Sequence, residues 1–109
     1  MANTFKLKTK ANVGVTTVGI YTAPAATTTV VIGITLANTS GSGVNVGVGI
    51  NRAGTTEDVK LLKNAPIPQG SSLEFMAGNK VVLETTDTVT VDSDTNNSVD
   101  ATLTIMEIT

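Results

Sequence analysis

The sequence of 109 residues contains no cysteine and no histidine. Without cysteine there is no disulfide and no thiolate metal ligand, and without histidine the common imidazole base and zinc ligand are missing. A serine or threonine nucleophile would need a lysine base, and no Ser-x-x-Lys spacing occurs. We therefore expect a protein that is not an enzyme, with no catalytic residue, no cofactor and no metal.

Aromatic residues and charges are also scarce. The chain has three aromatic residues, Phe5, Tyr21 and Phe75, and a net charge of −2, which argues against a nucleic-acid partner. No apolar run is long enough to cross a bilayer, so we expect no membrane partner. The N-terminus has charges but no apolar stretch behind them, unlike a signal peptide. Assembly in a cytosol is the expectation.

The central part of the chain, residues 27–51, shows the clearest pattern. Apolar residues fall at every second position in two runs, which are Val30, Ile32, Ile34 and Leu36, then Val44, Val46, Val48 and Ile50. This period is typical of half-buried β-strands. Two glycines and small polar residues between the runs favour a chain reversal. The pattern predicts a long hairpin whose even-numbered face lies in the core.

The N-terminal segment alternates between two kinds of side chain. Phe5 and Leu7 would lie on one side of an extended strand, and Lys6, Lys8 and Lys10 on the other. We interpret residues 1–10 as a basic arm or edge strand. Its lysines either discourage pairing with stray chains or dock on an acidic neighbour.

The remaining sequence adds further short alternating segments separated by polar turns. Residues 64–70 contain two prolines and a glycine and are predicted to form a loop. About eight strands result, and no segment has helical periodicity. The sequence predicts an all-β fold, an antiparallel β-sandwich or jelly-roll-like domain, over residues 11–109. In its tail, Met106 and Ile108 shift the apolar phase by one, which predicts a bulge or a face covered by a partner chain.

One segment resembles the start of a calcium loop. Asp92, Asp94 and Asn96 place oxygen-bearing side chains at alternate positions. The sixth position is Asn97 where such a loop needs glycine, and the twelfth is Leu103 where it needs glutamate. We predict a solvated turn between strands.

Several motifs together resemble a family of small structural proteins of tailed bacteriophages, especially marine and cyanobacterial phages. The matching segments, in order, are Ile20-Tyr-Thr-Ala-Pro24 with Thr28-Thr-Val-Val31, Ile34-Thr-Leu-Ala-Asn-Thr-Ser40, Leu61-Leu-Lys-Asn-Ala-Pro-Ile-Pro68 with Gly70-Ser-Ser-Leu73, and Val82-Leu-Glu84. The resemblance implies a β-sandwich virion component present in many copies, with no catalytic motif to transfer. It covers about residues 18–90, so neither the basic arm nor the acidic last third is matched.

The resemblance and the composition together favour a bacteriophage structural protein, most concretely a capsid decoration or cement protein. A tail, neck or baseplate-fibre component is the nearest alternative. A module that binds glycans or a host surface through residues 52–58 and 92–98 is a further one. The expected partners are other copies of the chain and the major capsid protein or other virion proteins.

A protein that works in many copies is expected to cover its open sheet edges by closed association. We predict a homo-oligomer, with a trimer favoured because three-fold positions recur in icosahedral capsids and trimers in phage fibres. The predicted contact joins the arm of one copy to the acidic last strand of the next. Its residues are Phe5, Lys6, Leu7, Lys8, Lys10, Asp100, Met106, Glu107 and Ile108.

Overall fold

The computed structural model describes residues 3–52, 58–75 and 80–109, and for Phe75 the backbone alone. Within these residues lie nine β-strands, one more than predicted: β1 (Asn3–Val13), β2 (Val18–Thr22), β3 (Thr28–Asn38), β4 (Val44–Asn51), β5 (Asp58–Ile67), β6 (Ser72–Phe75), β7 (Val81–Leu83), β8 (Thr88–Ser93) and β9 (Val99–Ile108). None of the described residues belongs to a helix that could cross a membrane. Most residues of the predicted turns at 51–58 and 77–79 fall outside the described ranges.

The strands form two antiparallel sheets, which confirms the predicted β-sandwich. The larger sheet has five strands in the order β1-β9-β3-β6, with β7 also paired to β3, and the smaller sheet has four in the order β2-β8-β4-β5. The inward side chains of both sheets form one apolar core. Its largest fully buried members are Ile34, Leu36, Ile67, Leu83, Leu103 and Ile105, with six valines.

The predicted central hairpin is wrong, because β3 lies in the larger sheet and β4 in the smaller one. The segment between them crosses from one sheet to the other. Asn38 fixes this crossing, since its side-chain amide donates to the carbonyls of Ser42 at 2.8 Å and Ile67 at 3.0 Å. Two strands that each bury one apolar face can pair edge to edge or pack face to face, and their alternation is the same in both cases.

The predicted buried face is right for β4 and only half right for β3. All four even-numbered apolar residues of β4 are buried. In β3, the pairing with β9 shifts between Val31 and Gly33, which marks a β-bulge. Val31 is therefore buried on one side of the bulge and Ile34 on the other, whereas Val30 projects outwards with Met106. The extra residue of the bulge reverses the phase of the strand.

The strand β9, unlike β3, keeps the same alternation of inward and outward side chains along its whole length. Its pairing with β1 is continuous over Asn3 to Lys10, so the predicted bulge in its tail is absent. Alternation persists to its end, and Glu107 occupies an inward, buried position where an apolar residue would be expected. Met106 and Ile108 accordingly lie on the outer face of the larger sheet.

The strand β5 is longer than predicted and includes Pro66. A proline is tolerated there because β5 is an edge strand, and its pairing with β4 shifts twice. On β4, a side chain at Gly47 would lie 3.3 Å from the Leu62 carbonyl oxygen, and one at Gly49 would lie 2.9 Å from that of Val59. The backbone of β5 therefore approaches both glycines closely.

The register of β3 can be tested by placing the same charge on its two faces. Ile34→Asp should prevent soluble folding, because an isolated carboxylate in the core costs several kcal/mol against a total stability of about 5–15 kcal/mol. In Thr35→Asp the new carboxylate would point outwards, opposite Glu74, and should lower the free energy of unfolding by at most about 1 kcal/mol. Soluble yield and thermal unfolding measure both effects. Equal behaviour of the two variants would contradict the assigned register.

Candidate interaction surface

The strands β1 and β9 contain all nine residues predicted to form the contact between copies. The sequence predicted a contact from one copy to the next, whereas the structure pairs the two strands within one chain. Phe5 lies opposite Met106, and Asn3 lies opposite Ile108. The lysine-bearing segment is thus an edge strand docked on the acidic strand of its own chain.

The two faces of this strand pair differ in chemistry. Residues opposite each other in an antiparallel pair project to the same side of the sheet. Lys6, Lys8 and Lys10 lie opposite Ile105, Leu103 and Ala101, all of which face the core. Phe5 and Leu7 face outwards and are 69% and 62% exposed. The lysines therefore lie on the core-facing side of the larger sheet, and the apolar residues of β1 lie on its outer side.

A buried polar cluster holds β1 to the body of the sandwich. The carboxylate of Glu107 accepts a hydrogen bond from the Tyr21 hydroxyl at 2.5 Å and lies 2.9 Å from the Lys6 amine. The same hydroxyl lies 2.8 Å from the Thr29 hydroxyl. The Lys8 amine stands 5.9 Å from the centre of the Tyr21 ring, within reach of a cation–π interaction. The cluster connects β1, β2, β3 and β9.

Both titratable groups at the centre of this cluster are shifted. The hydrogen bond from Tyr21, and after it the one from Lys6, lowers the pKa of Glu107 below its usual 4.5. Burial, followed by the hydrogen bond to Glu107, raises the pKa of Tyr21 to about 12. At neutral pH the cluster therefore consists of a charged carboxylate and a neutral phenol, and each stabilises the state of the other.

Sequence reasoning found Glu107 and Lys6 but missed Tyr21 and Thr29. In the sequence, Tyr21 stood out only as one of three aromatic residues and as part of the motif from Ile20 to Pro24. The signal that could have indicated the cluster was Glu107, a charged residue at a position where the alternation of β9 calls for an apolar one. A buried carboxylate needs hydrogen-bond donors from other residues. Nothing in the sequence indicates which strand supplies them, since Tyr21 lies 86 positions away from Glu107.

The segment resembling a calcium loop is a turn in which the side-chain oxygens have separate partners. Asp92 accepts from the Thr17 hydroxyl, Asp94 from the Asn45 backbone N–H, and Asn96 lies 3.5 Å from the Val15 N–H. In the described ranges no three acidic, histidine or cysteine side chains form a group suited to a metal ion. The expectation that no metal binds stays a prediction.

Comparison with known proteins identifies the fold of the chain. A chain from Bacillus endospore appendages, which are described as disulfide-linked pili, has a TM-score of 0.59 at 16% identity and covers 99% of this chain and 87% of its own length. A chain from the capsid structure of Helicobacter pylori bacteriophage KHP30 has a TM-score of 0.58 at 11% identity and covers 98% and 87%. At these identities the likeness shows a shared fold. It extends over nearly the whole of this chain.

No protein-family model matches the sequence, and a comparison with curated proteins finds no match.

The shifted carboxylate predicts how stability depends on acid. A lowered folded-state pKa gives stability that is fully present above pH 4.5 and is lost as the pH falls through the folded-state value. Glu107→Gln should lower the free energy of unfolding at pH 7 and flatten its decline below pH 4.5. Urea unfolding across this range measures both quantities. Glu74→Gln, at an exposed position, is the control and should leave the profile unchanged.

The phenol predicts the opposite behaviour in alkali. Its raised pKa gives stability that is present below pH 10 and is lost as the pH rises towards about 12. Tyr21→Phe should remove this alkaline loss. Profiles that match the wild type in both Glu107→Gln and Tyr21→Phe would contradict the role of the cluster.

Proposed function

We propose that this chain is a structural protein of a bacteriophage virion, present in many copies, and most concretely a decoration or cement protein on a capsid. The observation that carries the proposal is the fold shared with a phage capsid chain over 98% of this chain. It agrees with the resemblance of residues 18–90 to structural proteins of tailed phages. In this proposal the protein acts by binding other virion proteins, after assembly in the cytoplasm of the host, and has no enzymatic activity.

The strand order supplies a second argument. We interpret β1-β9-β3-β6 and β2-β8-β4-β5, with β6 and β7 sharing one position, as the two sheets of a jelly roll. This architecture recurs in viral capsid proteins. This arrangement leaves two edges in each sheet. Among the edge strands, β1 has the longest stretch of pairing without a register shift, which covers the eight residues from Asn3 to Lys10.

Self-association forms part of this proposal, with a trimer as the favoured assembly. The pili that share the fold are described as disulfide-linked, and this chain has no cysteine to form such a link. Its copies would have to associate through non-covalent contacts. Among the described residues, those of β1 and β9 offer the contact predicted from the sequence.

The geometry of β1 suits an exchange of this strand between copies. From Asn3 to Lys10 no side chain of β1 is fully buried. The pairing shifts between Lys10 and Val13, and Asn12 has a φ of 58° there. Val13 is buried, and its carbonyl accepts from Ser98, so the anchor lies beyond the bulge. An arm hinged at Asn12 can pair with β9 of the next copy through the same contacts, as in domain swapping.

The nearest alternative is a component of the tail, neck or baseplate fibres. Its support is the same fold in a chain from disulfide-linked pili. The decoration and fibre proposals use the same non-covalent contacts. They differ in the location of the protein on the particle.

A glycan-binding or host-surface module has less support. Of its two proposed loops, residues 53–57 lie outside the described ranges, and Arg52 is bound by Glu84 and Asp87. A groove of about 360 Å³ lies beside this ion cluster. Its lining residues, as far as the structure describes them, include no aromatic side chain of the kind that stacks on sugars.

The virion proposal is tested by locating the protein on the particle. Antibodies against the purified chain and gold-labelled electron microscopy should mark the heads of particles produced from the genome that carries the gene. Gold on the tails would favour the fibre alternative. Intact particles without gold, from lysates in which the antibody detects the protein, would contradict a virion role.

Arm exchange is tested with cysteines in this cysteine-free chain. Thr9 and Thr102 lie opposite each other in the β1–β9 pair, so Thr9→Cys with Thr102→Cys can form a single kind of disulfide. Exchange predicts covalent trimers on a non-reducing gel after oxidation at micromolar concentration. A monomer closed by an internal disulfide would contradict exchange. Either single variant is the control and forms no covalent species beyond a dimer.

A further inference from the structure

An apolar row crosses the outer face of the larger sheet from one edge to the other. Phe5 lies opposite Met106, Met106 opposite Val30, and Val30 opposite Val82. These four side chains therefore project from the same face on four neighbouring strands. Phe5 is 69% and Val82 58% exposed, and the other two are half-buried.

The rows beside it extend an almost uncharged surface. The register places further neutral side chains outwards, including Leu7, Thr9, Thr28, Thr35, Thr102, Thr104 and Ile108. Among the described outward positions of the larger sheet, Asp100 and Glu74 carry the charges, and both lie towards one end. Apolar patches of this breadth are uncommon on monomeric soluble proteins and mark interaction sites.

The outer face of the smaller sheet differs from this surface. Its β4 strand presents Asn45, Gly47, Gly49 and Asn51 outwards, because the valines between them face the core. Atoms of the neighbouring strands β5 and β8 lie close to the glycines of this strand. One face of the sandwich is thus polar and the other apolar, and we define the outer surface of β1, β9, β3 and β7 as the apolar face.

We propose that the apolar face packs against the apolar face of a second copy of this chain. The strands β1, β9 and β3 have ten or eleven residues each, or about 35 Å at ~3.4 Å per residue. Three strand positions at ~4.8 Å make the face about 14 Å wide, and the three residues of β7 widen it over part of its length. The resulting flat area of roughly 550 Å² is about two thirds of the ~800 Å² of accessible surface that each partner buries in a standard interface.

The occupant is a second copy because the face is complementary to itself. A two-fold contact places the same residues on both sides, so a charged face would oppose like charges. The central rows of this face are neutral, and the carboxylates of Asp100 and of Glu74, which lies beside the face on β6, are at one end, where an antiparallel arrangement separates them. Sheets that pack face to face about 10 Å apart bury alternating apolar side chains of this kind.

This contact does not depend on the proposed virion role or on arm exchange. Lys6 and Lys8 hold β1 on the Glu107 and Tyr21 cluster, so Phe5 and Leu7 face outwards whichever copy supplies the strand. An exchanged trimer would carry three such faces and associate further through them. Failure of the face contact would leave both earlier proposals open.

The test places a charge on the apolar face outside β1. Val82→Lys would place one lysine of each copy in the contact, so two like charges would oppose each other there. Because Val82 is exposed, the substitution should not prevent folding. Sedimentation of the purified chain from about 1 μM to 1 mM should show concentration-dependent association. The dissociation constant of this step should rise at least about tenfold in Val82→Lys.

The matched control is Val15→Lys. Val15 is 56% exposed, almost as much as Val82, and lies in the connection between β1 and β2 away from the apolar face. It should associate as the wild type does, and thermal unfolding should show that both variants fold. A wild type without association at 1 mM, an unchanged Val82→Lys variant, or equal weakening by both variants would overturn the proposal.

Discussion

The structure depends on the packing of two sheets through short aliphatic side chains. Apart from Tyr21, the buried apolar residues described here are valine, isoleucine, leucine and alanine, which fill the space between two β-sheets without aromatic bulk. Such a core is thin, and each strand contributes to it by strict alternation. The bulge in β3 is compatible with this constraint because it restores the inward phase, with Val31 on one side of it and Ile34 on the other.

The same constraint explains the buried carboxylate. Since β9 keeps its phase to the end, residue 107 must face inwards, and the chain has a glutamate there. Its burial is offset by the Tyr21 hydroxyl and the Lys6 amine, both of which approach from strands at the open edge of the sandwich. A polar cluster at this edge fixes β1 while adding little to the apolar core. The strand is thereby positioned firmly, although no side chain from Asn3 to Lys10 is fully buried.

The sequence predicted the fold class because alternation and turn chemistry act locally. The alternating apolar residues of two segments are buried as their spacing indicated, namely those from Val44 to Ile50 and those from Val99 to Ile105. The partner of each strand was not predictable in this way, because β3 and β4 have the pattern of a hairpin but lie in opposite sheets. The contact between β1 and β9 was inferred from complementary charge, and charge does not distinguish contacts within one chain from contacts between copies. Tyr21 was missed because its charged partner, Glu107, is distant in sequence.

The two faces of β1 connect the interior of the fold to assembly. Glu107 binds Lys6 on the inner side of the strand, and the period of two then requires Phe5 and Leu7 to face outwards. An isolated domain would gain nothing from exposing them, since polar residues at both positions would satisfy the same strand pairing. Because the chain has no cysteine, disulfides cannot link its copies, and buried area and strand pairing are the two means of association that we propose. The unpaired edge of β1 and the apolar face that begins on it supply these two means at one place on the molecule.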